Sequence, residues 1–490
     1  MKTTVLRLLA LAAVGTAPLR ILAQGFLPGD DALRHAAKAV SGRPWTEVLL
    51  LRPDITLDSN PGWHALLGAL HRWTGLDALD LVLFSVVALF ILFSLGPILL
   101  LRRPEAWLLS LALLCVADTL YIERLVSGRP FLLTSAIVPL VCLLWPRLEE
   151  PRHRGVLALF TVCGTLAAWI HGSYYLLALP VLALFVARRW TAGWRLAAAF
   201  GAGTLVGALL TGHPVGHLRQ MLLHGYLAVG LPRPAASLVT EFQPFDGRAV
   251  AAAGFLALLV WRASRRRGTD VPWRDPAVIM AAGFWSFGFV AARFWFDWAV
   301  PALLALAAVE FQDALERRSE ASAPRAALVT AAGIAVLLLL VTGADLQRRW
   351  SDQVGRPFLS RENPTHAPWL PEPGGIAYSG EMGVFYALFF KNPDAPWKYV
   401  LGFEPAIMPP ADYLVYCEIK RTKGVTEAYL PWLSRMRPED RLYVQSRSNA
   451  PPPIPGLEWF QPAYTIWAGR LPHHGPESLP PSLPREPALP

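Results

Sequence analysis

Leu79 to Arg103 reads LDLVLFSVVALFILFSLGPILLLRR, a nearly unbroken apolar run stopped by two adjacent arginines. Crossing the hydrocarbon core takes about 20 mostly apolar residues. Lys and Arg beside a span end are retained on the cytoplasmic face. This one stretch therefore specifies a membrane helix and its direction. Comparable windows lie on either side at 5–23, 105–122, 130–146, 155–171, 174–188, 195–211, 249–262, 276–292, 296–312 and 325–343, so that about eleven transmembrane helices are expected. The window at 249–262 is short. Composition agrees, with 54% hydrophobic and 17% charged residues over 490 positions, which describes a polytopic α-helical membrane protein and excludes a soluble enzyme.

The basic residues orient the whole series. Arg102 and Arg103 follow the second window, Arg147, Arg152 and Arg154 the fourth, and Arg188, Arg189 and Arg195 the sixth. Arg262, Arg265, Arg266 and Arg267 follow the eighth, and Arg317, Arg318 and Arg325 the tenth. Even-numbered windows thus exit to the cytoplasm, where the N-terminus also lies. The outer loops 24–78 and 212–248 and everything after 343 face outward. Ten of the eleven histidines fall on that outer side, His153 being the exception. The net charge of +9 is accounted for by cytoplasmic loops, so no nucleic-acid partner is expected. Arg20 and the missing small-x-small pattern at Ile21, Leu22 and Ala23 predict a first window retained as a span rather than cleaved. Cys115, Cys142 and Cys163 lie within windows and Cys417 stands apart, which gives neither a disulfide framework nor zinc spacing.

After 343 the chain turns polar, proline-studded and aromatic-rich. Strands are expected at Gly374–Ser379, Trp397–Gly402, Arg441–Gln445 and Tyr464–Ala468, and helices at Glu381–Phe390, Ala411–Lys420 and Thr426–Met436. That alternation predicts a small extracytoplasmic α/β domain over 344–470. A proline-rich tail at 471–490 is expected to be extended or disordered.

The first outer loop opens Leu27-Pro28-Gly29-Asp30-Asp31. From Asp31 to Val40, Leu33, Ala36, Ala37 and Val40 share one helical face and Asp31, Arg34, His35 and Lys38 the other, which predicts an interfacial helix on the outer leaflet. A second amphipathic piece, Trp63–Trp73, carries His64 and His71. Capping explains one acidic residue at a helix start. Two, beside Arg34 and His35, point to catalysis or metal binding by Asp30 and Asp31. Candidate substrate contacts are His35 and His64 in this loop, Arg124 and Arg129 after the third window, Arg219 in the second large loop, and Arg293 beside Asp297. Guanidinium groups bind phosphate oxygens in bidentate fashion. His171 joins them in the tight turn His171-Gly172-Ser173-Tyr174-Tyr175. Glu241 could complete a Mg²⁺ or Mn²⁺ site with Asp30 and Asp31, since oxygen ligands suit those ions.

This arrangement resembles the GT-C superfamily of integral membrane glycosyltransferases. The matching elements are Asp30-Asp31, the loop ending Asp58-Ser59-Asn60-Pro61-Gly62-Trp63-His64, and a domain after the last span. The segment Phe385 to Pro405 is similar to bacterial members, although no chemistry follows from it. The resemblance implies transfer of a sugar from a polyprenyl-phosphate donor in the membrane to an extracytoplasmic glycan, lipid or protein, with Asp30 or Asp31 as base. It also implies a multi-pass protein, and the Arg-, Ala- and Leu-rich usage adds a bacterial inner membrane. The Trp-Trp-Asp run of oligosaccharyltransferases is absent, which argues against protein N-glycosylation. Two other classes fit the spans: a non-catalytic scaffold of envelope polysaccharide assembly, and a secondary transporter, which would show repeated halves and interrupted helices.

Overall fold

The computed structural model describes residues 2–55, 57–229, 243–245, 254, 257–258, 261–262, 274–319, 324–343, 350–351, 353–446, 448, 450–463 and 465–472. It is a helical membrane protein with a small C-terminal sheet. Among the described residues six helices are long and apolar enough to cross a bilayer: Thr3–Leu22, Ala78–Leu100, Phe131–Glu149, Arg154–His171, Ala292–Arg317 and Arg325–Thr342. A seventh crossing arises if Trp190–Leu209 and Pro214–Tyr226, bent by 111° at their junction, are taken as one span.

This is fewer than the eleven expected, and the difference is one of length. Three more windows are helical but short: Glu105–Ala117, Tyr174–Val186 and Pro276–Gly288. At about 1.5 Å per residue each falls below the ~30 Å hydrocarbon thickness. The window at 105–122 is broken where buried Asp118 accepts a hydrogen bond from Trp295 Nε1 at 3.2 Å; a new helix starts at Thr119 and runs to Leu125. The window at 249–262 lies largely outside the described residues, as does the tail beyond 472.

Arg154–Leu166 and Trp190–Leu209 pack closely against each other. Gly164 faces Gly203, and a Cβ on Gly203 would collide with the backbone carbonyl of Thr161. Backbones approach this closely in membranes only through small residues, here the Gly203-Thr-Leu-Val-Gly207 spacing.

Near the C-terminus strands β3 (Ile376–Ser379), β4 (Lys398–Tyr399), β5 (Arg441–Gln445), β6 (Glu458–Ala463) and β7 (Ile466–Arg470) form one sheet in the order β4-β3-β5-β7-β6. The β3–β4 and β3–β5 pairs are parallel and the other two antiparallel. The Met382–Lys391 helix connects β3 to β4, and Pro410–Arg421 lies between β4 and β5. Strand β6, which the sequence reading missed, carries Pro462 and occupies the sheet edge, where a missing N–H costs no ladder bond.

The 24–78 loop is joined directly to this region. A two-stranded sheet pairs β1 (Leu27–Pro28) with β2 (Trp350–Ser351). Leu50 N donates to Tyr399 O at 2.9 Å, and Arg43 Nη1 to Ala395 O at 2.6 Å. Trp45 packs with ring centroids 5.1 Å from Phe403 and 5.9 Å from Phe389. Phe385 and Phe389 therefore belong to the same apolar core as the membrane helices. A second core under the sheet gathers Tyr378, Val400, Trp432 and Leu442.

The Asp31–Ser41 helix forms where expected, but it does not lie open on a leaflet. Every residue from Asp31 to Ala39 is buried, because the polar face meets Arg129, Phe403, His64 and Trp45 instead of water.

Candidate functional site

A cavity of about 470 Å³ lies between the membrane helices and the C-terminal sheet region. Five chain passages that the arginine pattern assigns to one side of the membrane converge on it. They contribute Asp30, Asp31 and Arg34; Arg129 and Phe131; His171 and Ser173; Met221 and His224; and Arg293 with Trp298. Residues after 343 supply the roof: Glu381, Met382, Tyr386, Phe403, Glu404, Tyr416 and Lys420.

Asp30 occupies the N-cap position of the Asp31–Ser41 helix, yet its side chain makes no capping bond. Asp31 Oδ1 accepts from Arg34 Nε at 2.7 Å, and its Oδ2 lies 2.7 Å from Arg129 Nη2. Capping thus accounts for neither acid. The Arg34 guanidinium stacks 4.1 Å above the Phe403 ring, and its buried Nη1 donates to no protein acceptor. A buried unpaired guanidinium nitrogen is costly; lining a cavity, it suits an anionic ligand.

Two π-helical turns shape the opposite wall. Ala167–His171 ends one span, and Trp295–Ala299 interrupts another. Such bulges swing a side chain off its regular helical position and concentrate at functional sites. The first delivers His171, whose Nδ1 lies 2.6 Å from Ser173 Oγ and 3.2 Å from Thr134 Oγ1. The turn continues through Gly172 at φ +72°, where a Cβ would meet Met221 Sδ at 2.6 Å, so only glycine closes it. The second bulge delivers Asp297, which accepts from Arg124 Nε and Nη2 at 3.0 Å each and from Arg293 Nε at 3.0 Å.

In the roof, Lys420 Nζ donates to Glu381 Oε1 at 2.8 Å, and His224 Nε2 stands 3.9 Å from Glu404 Oε2. Burial, with Asp31 nearby, pushes the Tyr386 phenol well above its usual range, so it stays a hydrogen-bond donor.

Of the residues nominated from sequence, Asp30, Asp31, Arg129, His171 and Arg293 share the cavity. Arg124 is buried behind it on the Phe131 ring, 4.1 Å away, and is bound to Asp297 rather than lining the wall. Arg219 is exposed on the Pro214–Val229 helix and does not line the cavity, because that helix turns Met221 and His224 inward instead. His35 and His64 are buried and bonded to each other, not to the cavity space, since their two helices pack together there. Glu241 lies outside the described residues.

Among the described residues no group of three or more His, Cys, Asp or Glu has metal-ligand spacing. Both Asp31 oxygens already serve guanidinium groups. The roof residues went unrecognised because they lie some 350 positions from the acidic pair, with no spacing to connect them. Compared with protein-family models and with curated proteins, the chain gives no match.

Proposed function

We propose that this protein is a GT-C-type glycosyltransferase that moves a sugar from a polyprenyl-phosphate donor to an extracytoplasmic glycan, lipid or protein. The observation that carries the reading is the shared cavity: two adjacent carboxylates and three arginines meet at one end of a bundle of apolar helices. Phosphate on a lipid-linked sugar is already a good leaving group, so the protein must chiefly take one proton and hold one anion. Asp30 is assigned as the base, because Asp31 has both oxygens committed to arginines. As the acceptor oxygen bonds to the anomeric carbon, the carbon–oxygen bond to phosphate breaks and the acceptor proton passes to Asp30. Arg34 and Arg129, positioned by Asp31, and Arg293, positioned by Asp297, receive the phosphate charge. The short apolar helices complete the bundle. The N-terminus lies in the cytoplasm and the cavity faces outward across a bacterial inner membrane.

The test is transfer from a panel of labelled polyprenyl-phosphate sugars in proteoliposomes. Asp30→Asn should lower turnover by about 10² to 10⁴, the usual worth of a general base. Asp31→Asn should act mainly on KM by loosening the two arginines. Undiminished turnover in the double variant would remove the acidic pair from catalysis and favour the scaffold reading.

A further inference from the structure

Behind the acidic pair lies a chain of ionisable groups that the transfer step leaves unused. Asp58 Oδ1 accepts from Asn60 N at 3.0 Å and Trp45 Nε1 at 3.2 Å, which fixes the carboxylate so that Oδ2 meets His64 Nδ1 at 2.5 Å. His64 Nε2 lies 2.8 Å from His35 Nδ1. His35 is one helical turn beyond Asp31 on the same helix, so it sits under the carboxylate that borders the cavity.

One anion sets the polarity of the chain. Burial alone would raise the Asp58 carboxyl, but the hydrogen bonds from His64 and the Asn60 N–H, with Lys38 nearby, outweigh it and hold the group below the usual carboxylate range. An ionised carboxylate can only accept, so His64 Nδ1 carries the hydrogen. Burial keeps His64 neutral against the pull of Asp58. A neutral imidazole has one N–H, hence His64 Nε2 accepts and His35 Nδ1 donates. His35 Nε2 is left as a lone pair.

We propose that Asp58, His64 and His35 form the proton exit of the cavity, with His35 as the positioning residue that accepts the proton collected by Asp30. This rests on the glycosyl-transfer reading. Protonated Asp30 gives its proton to His35 Nε2 through intervening water, since His35 does not itself line the cavity, and becomes a carboxylate again. The Nδ1 proton of His35 moves to His64 Nε2, and the Nδ1 proton of His64 moves to Asp58 Oδ2. Asp58, whose side chain keeps 21% of its surface exposed, releases that proton to water. One proton leaves and no electrons move, and the starting tautomers return by proton exchange with water. Burial disfavours a lasting imidazolium at His35, and Arg34, His64, Arg129 and His171 add to it. His35 therefore passes a proton on rather than storing it.

The first test needs no substrate. The full chain in nanodiscs, labelled with ¹⁵N-histidine and assigned against His35→Gln, should show His35 as the neutral Nδ1–H tautomer down to pH 5. An Nε2–H tautomer, or titration near the ordinary value of about 6.5, would overturn the proposal. The second test is turnover. His35→Ala and His64→Gln should lower kcat by about 10- to 100-fold, less than loss of the base itself, at unchanged donor KM. Imidazole in the buffer should restore the His35→Ala rate but not that of Asp30→Asn. A wild-type rate in both variants, or a loss in folded protein that imidazole does not restore, would also overturn it. Wild-type protein inactive with every donor would sink the glycosyl-transfer reading, while the tautomer measurement still decides the chain's polarity.

Discussion

Asp297 holds Arg124 and Arg293 at once, and it does so with a carboxylate that is 5% exposed. Removing one partner of a buried ion pair costs about 3–5 kcal/mol, because the other charge stays buried and uncompensated. Asp297→Asn takes the carboxylate from buried Arg124 and from part-buried Arg293, and should lower the melting temperature in detergent more than Arg293→Gln, whose side chain is 26% exposed. Equal melting of the two variants would show that Asp297 is not the hub. The buried histidines give a pH dependence whose sign follows from their depressed proton affinity. Below about pH 6.5 the unfolded chain binds protons that folded His35 and His64 refuse. Stability therefore falls as pH drops from 7 to 5, by up to about 1.4 kcal/mol per pH unit for each histidine kept neutral. Asp58 is depressed too, so its contribution persists throughout this window and is lost only at lower pH. Unfolding midpoints between pH 8 and 5 should show the decline, and His35→Gln should flatten it; a flat wild-type profile would contradict the buried neutral pair.

Among the helices, the crossing of Arg154–Leu166 with Trp190–Leu209 depends on missing side chains. Gly203→Val should force the two backbones apart and lower thermal stability, whereas Gly201→Val on the same helix, where a Cβ meets nothing within 4 Å, should cost far less. Equal losses at the two positions would mean that the close approach is not what holds the pair. The elements themselves were largely readable in advance. Apolar length announced the long spans, and period-two patterning announced β3 and β5. Asp30 and Asp31 stood out because two acids at one helix start exceed what a cap needs. What could not be read was set by distant partners. Asp118 breaks a helix by bonding Trp295, 177 residues away, and the π-turns at His171 and Asp297 leave no trace in apolar periodicity. The Asp31–Ser41 helix looked amphipathic because its polar face meets other protein groups instead of water.

At the scale of the whole molecule, the sheet region is a structural part of the membrane unit. Trp45, 4% exposed, sits between His64 below and Phe389 and Phe403 above. Trp45→Ala should cost about 3–5 kcal/mol and make residues after 350 cleavable by added protease at concentrations that leave the wild type intact. Unchanged protease resistance would show that the two parts are held elsewhere. Reporter fusions after Pro371 should be active only as extracytoplasmic enzymes, and a cytoplasmic-active fusion would invert the assigned orientation.

The pairing of Leu27 and Pro28 with Trp350 and Ser351 has a consequence for biogenesis. The two strands are separated by more than 300 residues, and contacts so remote in sequence form late because a long loop must close before they contribute. A chain emerging from the ribosome carries its acidic pair long before the segment that roofs it exists. The cavity is consequently completed last.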